Sequence, residues 1–146
     1  MNTVKSCLTH KSNQIVAVEP SSPVRIALEL MRDKKVRSIL VIENGALHGI
    51  VSQGDCAIKV LLKGLDASKV LAQEIMTKNP ITVTLSDSLE QCMGVMVSKH
   101  IRHLPVVDGN KVLGVISIGD IVKNIIDQQG VQINYLETYI KGHGAS

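Results

Sequence analysis

Gly49-Ile50-Val51-Ser52-Gln53-Gly54-Asp55 and, 65 positions further on, Gly114-Val115-Ile116-Ser117-Ile118-Gly119-Asp120 carry one pattern, Gly-x-x-Ser-x-Gly-Asp. The match extends outward without a gap. Residues 18–61 slid by 65 positions onto 83–126 place Val18 on Val83, Ser21 on Ser86, Met31 on Met96 and Arg37 on Arg102. Apolar identities alone would follow from any repeated fold. Polar identities at one register indicate that a site was duplicated with the fold.

Each repeat reads as strand, helix, hairpin, helix. In the first, Ile15 to Val18 is a short strand, and Ser22-Pro23 reads as an N-cap with proline at the first helical position. Val24, Ala27, Leu28 and Met31 then recur at offsets 0, 3, 4 and 7, which requires one buried helical face. Leu89, Cys92, Met93 and Met96 repeat those offsets, with Asp87 and Glu90 as a capping-box pattern. Strands over Ile39 to Ile42 and Leu104 to Val107 follow, with Asn44-Gly45 and Asp108-Gly109 as hairpin turns. Helices are expected from about 55 to 63 and 120 to 129. The serine-to-aspartate segment is therefore a strand-to-helix junction, where unpaired amides and the helix dipole favour an anion.

Neither repeat, at about 45 residues, buries an adequate core alone, so both should pack as one unit. The expected divisions are 1–66 for an N-terminal extension and first repeat, 67–130 for a linker and second repeat, and 131–146 for a C-terminal helix and tail. Val70, Leu71, Ile75 and Met76 give residues 64–80 an apolar side, so this linker should be packed. Ile133, Leu136, Tyr139 and Ile140 fall at helical spacing and suit docking on the body or a second subunit.

Composition narrows the class. Of the 146 residues 45% are hydrophobic, while the aromatic side chains are Tyr135 and Tyr139 alone, so stacking platforms for single-stranded nucleic acid are absent. The net charge of +3 arises from interspersed residues and implies no polyanion partner. Three cysteines without Cys-x-x-Cys spacing fit reduced thiols in the cytoplasm, with Cys92 as a core residue. No apolar stretch reaches the roughly 20 residues of a membrane span, and the polar N-terminus lacks a signal-like segment. The expectation is a soluble cytoplasmic protein.

Ser52-x-x-Asp55 and Ser117-x-x-Asp120 are, at their plainest, helix capping boxes. Duplication with flanking glycines adds a second possibility. A carboxylate at a helix start can accept from both hydroxyls of a ribose, the serine hydroxyl can reach a phosphate, and glycine allows close approach. Together with Glu74-Ile75-Met76-Thr77 and Ile101-Arg102-His103-Leu104-Pro105-Val106-Val107, these segments make the chain resemble a tandem pair of CBS domains, a Bateman module, over residues 15–129.

That resemblance implies an α/β fold of two β-α-β-β-α repeats packed about a pseudo-twofold axis, with the C-terminal helix added. It also implies two clefts for adenosine ligands such as AMP, ADP, ATP, NAD or S-adenosylmethionine, none of them a required cofactor. Carried over, it makes Asp120 the ribose partner and Ser117 a phosphate contact, with Arg102 and His103 near the cleft. Val83, Leu104 and Ile118 would flank adenine, with Pro105 beside them. The first repeat offers Asp55 and Ser52, but Ser38-Ile39-Leu40 stands where the second has His103-Leu104-Pro105. Bacterial members often carry Glu-Arg-Asp in place of Gln53-Gly54-Asp55, which weakens the expectation of phosphate binding there.

The function implied is a non-enzymatic sensor, of the bacterial stand-alone type. It would be a homodimer joined through helical faces that signals nucleotide occupancy to a separate effector protein. Two other classes compete. An enzyme with His103 as base and Ser117 as nucleophile lacks a third orienting group. A structural oligomerisation module would use both Ser-x-x-Asp segments as caps alone. A metal pair at His100 and His103 lacks a third ligand and is opposed by Lys99 and Arg102.

Overall fold

The computed structural model describes residues 2–9 and 15–129. The expected C-terminal helix and tail, 131–146, lie outside the described residues. Each repeat is built on a hairpin. In the first, β1 (Ala17–Val18) pairs in parallel with β2 (Ser38–Glu43), β2 pairs antiparallel with β3 (Ala46–Ser52), and β3 with β4 (Thr77–Lys78). In the second, β5 (His103–Asp108) pairs antiparallel with β6 (Lys111–Ser117), and Val83 bridges Val106 in the register that joins Val18 to Val41. Alternation along β6 buries Val112, Gly114 and Ile116 on one face, as a half-covered strand requires.

The hairpin turns differ in chemistry. Asn44 and Gly45 have φ of 53° and 78°, the two positive values of a type I′ turn. In the second repeat Asp108 still pairs with Lys111, so the turn is Gly109-Asn110 rather than Asp108-Gly109 as expected. There only Gly109, at φ 61°, is positive. The glycine has moved to the first central position, where a type II′ turn needs it.

Helix α2 (Val24–Lys34) buries Val24, Ala27 and Met31, and α5 (Leu89–Lys99) buries Leu89, Cys92 and Met96, the stripes predicted from spacing. Both start one residue later than their cap signals suggested. Pro23 rather than Ser22 is the N-cap of α2, and the Ser22 hydroxyl instead accepts from the Glu19 amide at 3.2 Å. Ser88 rather than Asp87 caps α5, in a box with Gln91, while Asp87 accepts from the Thr84 amide at 2.8 Å. In each case the first oxygen able to cap serves the preceding turn.

The least expected feature is an exchange of leading segments. Helix α1 (Val4–Thr9) precedes the first repeat yet packs in the second repeat's core, where Val4, Cys7 and Leu8 join Leu89, Met96, Leu104 and Ile116. Helix α4 (Ala72–Ile75) precedes the second repeat yet packs in the first repeat's core with Val24, Met31 and Val51. The backbone contacts mirror one another. Pro23 bridges Leu71 and Ser88 bridges Thr3, each an antiparallel bridge at the start of a long helix. Burying Val4 and Leu8 of one exchanged segment and Ile75 of the other contributes roughly 1.5–3 kcal/mol apiece, with Cys7 and Ala72 adding less, which fastens the repeats about a pseudo-twofold axis.

The helices that follow the duplicated motif are unequal. Helix α6 (Ile118–Gln129) is regular over 12 residues. Helix α3 (Gln53–Cys56) gives way to a π-helical stretch over Ala57–Leu61, with amides of Leu62 and Leu65 bonded five residues back to Ala57 and Val60. Among the described residues no helix is long and apolar enough to cross a membrane.

Candidate functional site

Both motifs form complete capping boxes. The Ser52 amide donates to Asp55 Oδ2 at 2.9 Å and the Asp55 amide to Ser52 Oγ at 3.1 Å. The Ser117 and Asp120 pair repeats this at 2.8 and 3.1 Å. The first amide of each helix is served from elsewhere: Gln53 N–H donates to the Arg37 carbonyl and Ile118 N–H to the Arg102 carbonyl, both at 3.0 Å. Among the described residues this leaves the amides of Gly54 and Gly119 as the unbonded donors of the first three positions. Each belongs to the residue without a side chain, where an anion can approach closely.

The same bonds place the arginines, since each arginine's carbonyl is tied to the helix start of its own repeat. Arg37 and Arg102 are exposed, and neither guanidinium has a carboxylate partner among the described residues. Just before them Lys35 and His100 hold φ of 58° and 55° at the ends of α2 and α5. These left-handed positions are strained for side-chain-bearing residues, and both lie on cleft walls.

Two clefts of about 550 and 540 Å³ lie between the repeats, a size suited to a mononucleotide. Each is a composite. The first sets Ser52, Gly54 and Asp55 opposite Ile81, His100, Ile101 and Arg102. The second sets Ser117, Ile118, Gly119 and Asp120 opposite Val16, Lys35, Val36 and Ser38. Arg37, Arg102 and His103 line both, so the two arginines stand between the two sites.

The structure brings together Asp120, Ser117, Ile118, Arg102 and His103, as the resemblance implied, and adds Ser38 to them rather than to the first cleft. It does not bring in the other apolar candidates. Leu104, Pro105, Val83 and Ile39 are buried and are not among the residues lining either cleft. The backbone of Val83 is committed too, its amide to the Pro105 carbonyl at 3.0 Å and its carbonyl to the Val107 amide at 2.9 Å. The apolar walls are instead Ile15, Val16 and Val36 for one cleft and Ile81 and Ile101 for the other. A sequence reading assigns wall and carboxylate to one repeat. The only clue to the cross-repeat pairing was the duplication itself, because a twofold relation sets equivalent ends face to face.

Cys7, Cys56 and Cys92 are free and buried. Burial first and the Asp55 charge second push the Cys56 thiol up to about 11. Burial likewise pushes Cys92 to about 11, with Asp87 adding to it. Among the described residues no group of three or more His, Cys, Asp and Glu could hold a metal.

The profile of the CBS domain matches this chain twice, over residues 5–61 and 72–127. The CBS domain-containing protein YhcV of Bacillus subtilis is 32% identical over 128 residues, which cover 85% of this chain and 86% of the relative. A solved protein with CBS domains from Burkholderia ambifaria is 38% identical, with a TM-score of 0.84 over 87% of this chain and 96% of that one. CBSX2, solved in complex with AMP, is 28% identical, with a TM-score of 0.72 over 88% and 99%. The doubled match coincides with the duplicated motif, the exchanged leading segments and the paired clefts, and the chain belongs to the CBS domain family as a tandem pair, a regulatory module.

Proposed function

We propose that this module binds an adenosine-containing ligand, AMP, ATP or NAD, in the clefts between its repeats, and that a partner protein reads the bound state. One observation carries this: each cleft sets a serine, a glycine amide and an aspartate from one repeat against an apolar wall from the other, with Arg37 and Arg102 between. Adenine suits the apolar wall, ribose the carboxylate, and phosphate the glycine amide, serine and Arg37 or Arg102. A ligand that touches both repeats binds one arrangement of them better than another, which is the physical requirement for a signal. The AMP complex of CBSX2 supports the ligand class. The residues assigned are Asp120, Ser117, Ile118, His103, Arg102 and Ser38 in the second cleft, and Asp55 and Ser52 in the first.

Calorimetric titration with AMP tests this. Binding to the wild type is expected to fall in Asp120→Asn by the roughly 1.5–3 kcal/mol of a charge-assisted hydrogen bond, with the melting temperature little changed, since the Ser117 cap stays and the asparagine amide oxygen can still accept from the Ser117 amide. A module without a ligand is the second reading, and the two complete capping boxes favour it. It predicts no heat with AMP in any variant. Turnover of a nucleotide that is lost in His103→Ala would instead identify an enzyme.

The repeats would fold as one unit with the divisions 1–66, 67–130 and 131–146, in the cytoplasm. A homodimer fits the surface. Ile58, Leu61, Leu62 and Leu65 are 59%, 78%, 75% and 49% exposed at helical spacing. Leu61→Lys is expected to yield monomer in sedimentation; an unchanged mass would place the interface elsewhere.

A further inference from the structure

The Asp55 carboxylate is held from two sides. Asp55 has both oxygens engaged: Oδ2 accepts from the Ser52 amide at 2.9 Å, and Oδ1 lies 3.3 Å from the Lys59 ammonium, one turn on. That ammonium also donates to the carbonyl of Ile75, the last residue of α4, at 2.8 Å. Lys59 is thus held at two points, and it is not among the residues lining the Asp55 cleft. It neutralises the carboxylate without offering its charge to a phosphate in the cleft. The position 65 residues on holds Asn124, neutral and buried, whose amide oxygen accepts from Gln128 at 3.3 Å.

A ribose held by a carboxylate donates two hydroxyl hydrogens to it. A carboxylate with one oxygen on a cap and the other on a cation is a weaker acceptor for that pair, because its charge is already balanced. We propose that Lys59 is a specificity-determining residue that acts through Asp55, disfavouring ribose at the first cleft. This rests on the reading of the motif carboxylates as ribose partners.

The test is calorimetry with AMP on the full chain carrying Asp120→Asn, where remaining binding reports the Asp55 cleft. Lys59→Asn, which matches the second repeat, and Lys59→Met are each expected to tighten that binding about fivefold, the upper worth of a part-exposed ion pair. Lys59→Arg should leave it unchanged, and adding Asp55→Asn should remove the gain. No tightening in either neutral variant, or a gain that survives loss of the Asp55 carboxylate, overturns the role of Lys59. Binding that persists at wild-type strength with both aspartates replaced overturns the ribose reading instead, and no AMP uptake by the wild type overturns both. Thermal melts report whether each variant is folded, and two unlike neutral replacements ensure that a fold loss in one leaves the other decisive.

Discussion

The first and second repeats share a register, a capping geometry and a hairpin, yet they are not equivalent sites. In the first, the helix after the motif widens into a π-helical stretch that carries Lys59 onto Asp55 and the Ile75 carbonyl. In the second, a regular helix follows and Asn124 occupies the corresponding place. The cleft walls differ as well: His100 faces Asp55, whereas Lys35 and Ser38 face Asp120. Duplication copies a scaffold. Charges placed on that scaffold afterwards can give its two copies different work.

The largest expected effect separates the repeats by packing. A Cβ on Gly49 would stand 2.7 Å from the Thr77 carbonyl and 2.6 Å from Met76 Sδ, while one on Gly114 would meet only Leu8 Cδ2 at 3.4 Å. Gly49→Ala is expected to cost about 1–3 kcal/mol by thermal or urea unfolding, since β4 cannot retreat without losing its pairing, whereas Gly114→Ala should be close to neutral. Equal costs would mean that α1 presses on the second repeat as hard as β4 does on the first.

A binding comparison comes next. Space exists for a Cβ at both motif glycines, the nearest atoms being Ser52 Oγ and Ser117 Oγ, each at 3.6 Å. Gly119→Ala should therefore leave stability unchanged or slightly raised, yet weaken AMP about tenfold by obstructing approach to its amide. Gly54→Ala should leave AMP binding nearly untouched if the second cleft dominates. Equal losses from the two alanines would make the clefts equivalent.

Smaller again is the cap. Ser52→Ala and Ser117→Ala each remove the acceptor for the aspartate amide and should cost about 1 kcal/mol in unfolding free energy. Here the repeats should agree, and a cost confined to one would show that its partner box is redundant. The mildest effect concerns the thiols. With Cys56 and Cys92 raised to about 11 by burial, a thiol reagent at pH 8 should label the folded protein slowly and at the rate of unfolding. Fast labelling of Cys56 alone would mark opening at the π-helical stretch.

Much of this was legible beforehand because the repeated signals are local. The helical stripes of α2 and α5 follow from apolar spacing, and the motif caps follow from Ser-x-x-Asp. Cap positions slipped by one residue where two oxygens in a row could serve, as at Ser22-Pro23 and Asp87-Ser88. Lys59 was passed over, since four residues from an aspartate a lysine resembles any surface ion pair. Leu104, Pro105, Val83 and Ile39 were assigned to the ligand site through the family resemblance. They are buried instead, Leu104 and Val83 in the core of the second repeat and Ile39 in that of the first, a placement set by tertiary packing rather than by position along the chain.

By itself, then, the sequence determined the duplication, the buried helical stripe and hairpin of each copy and the capped junction that each presents, signals that lie between residues a few positions apart. The tertiary structure alone decided that α1 and α4 change places between cores, that each cleft is completed by the other repeat, and that Arg37 and Arg102 stand between both sites. Those outcomes arise from burying apolar faces across a twofold relation. Burial depends on how two surfaces meet in space, and a one-dimensional pattern records each surface without recording its partner.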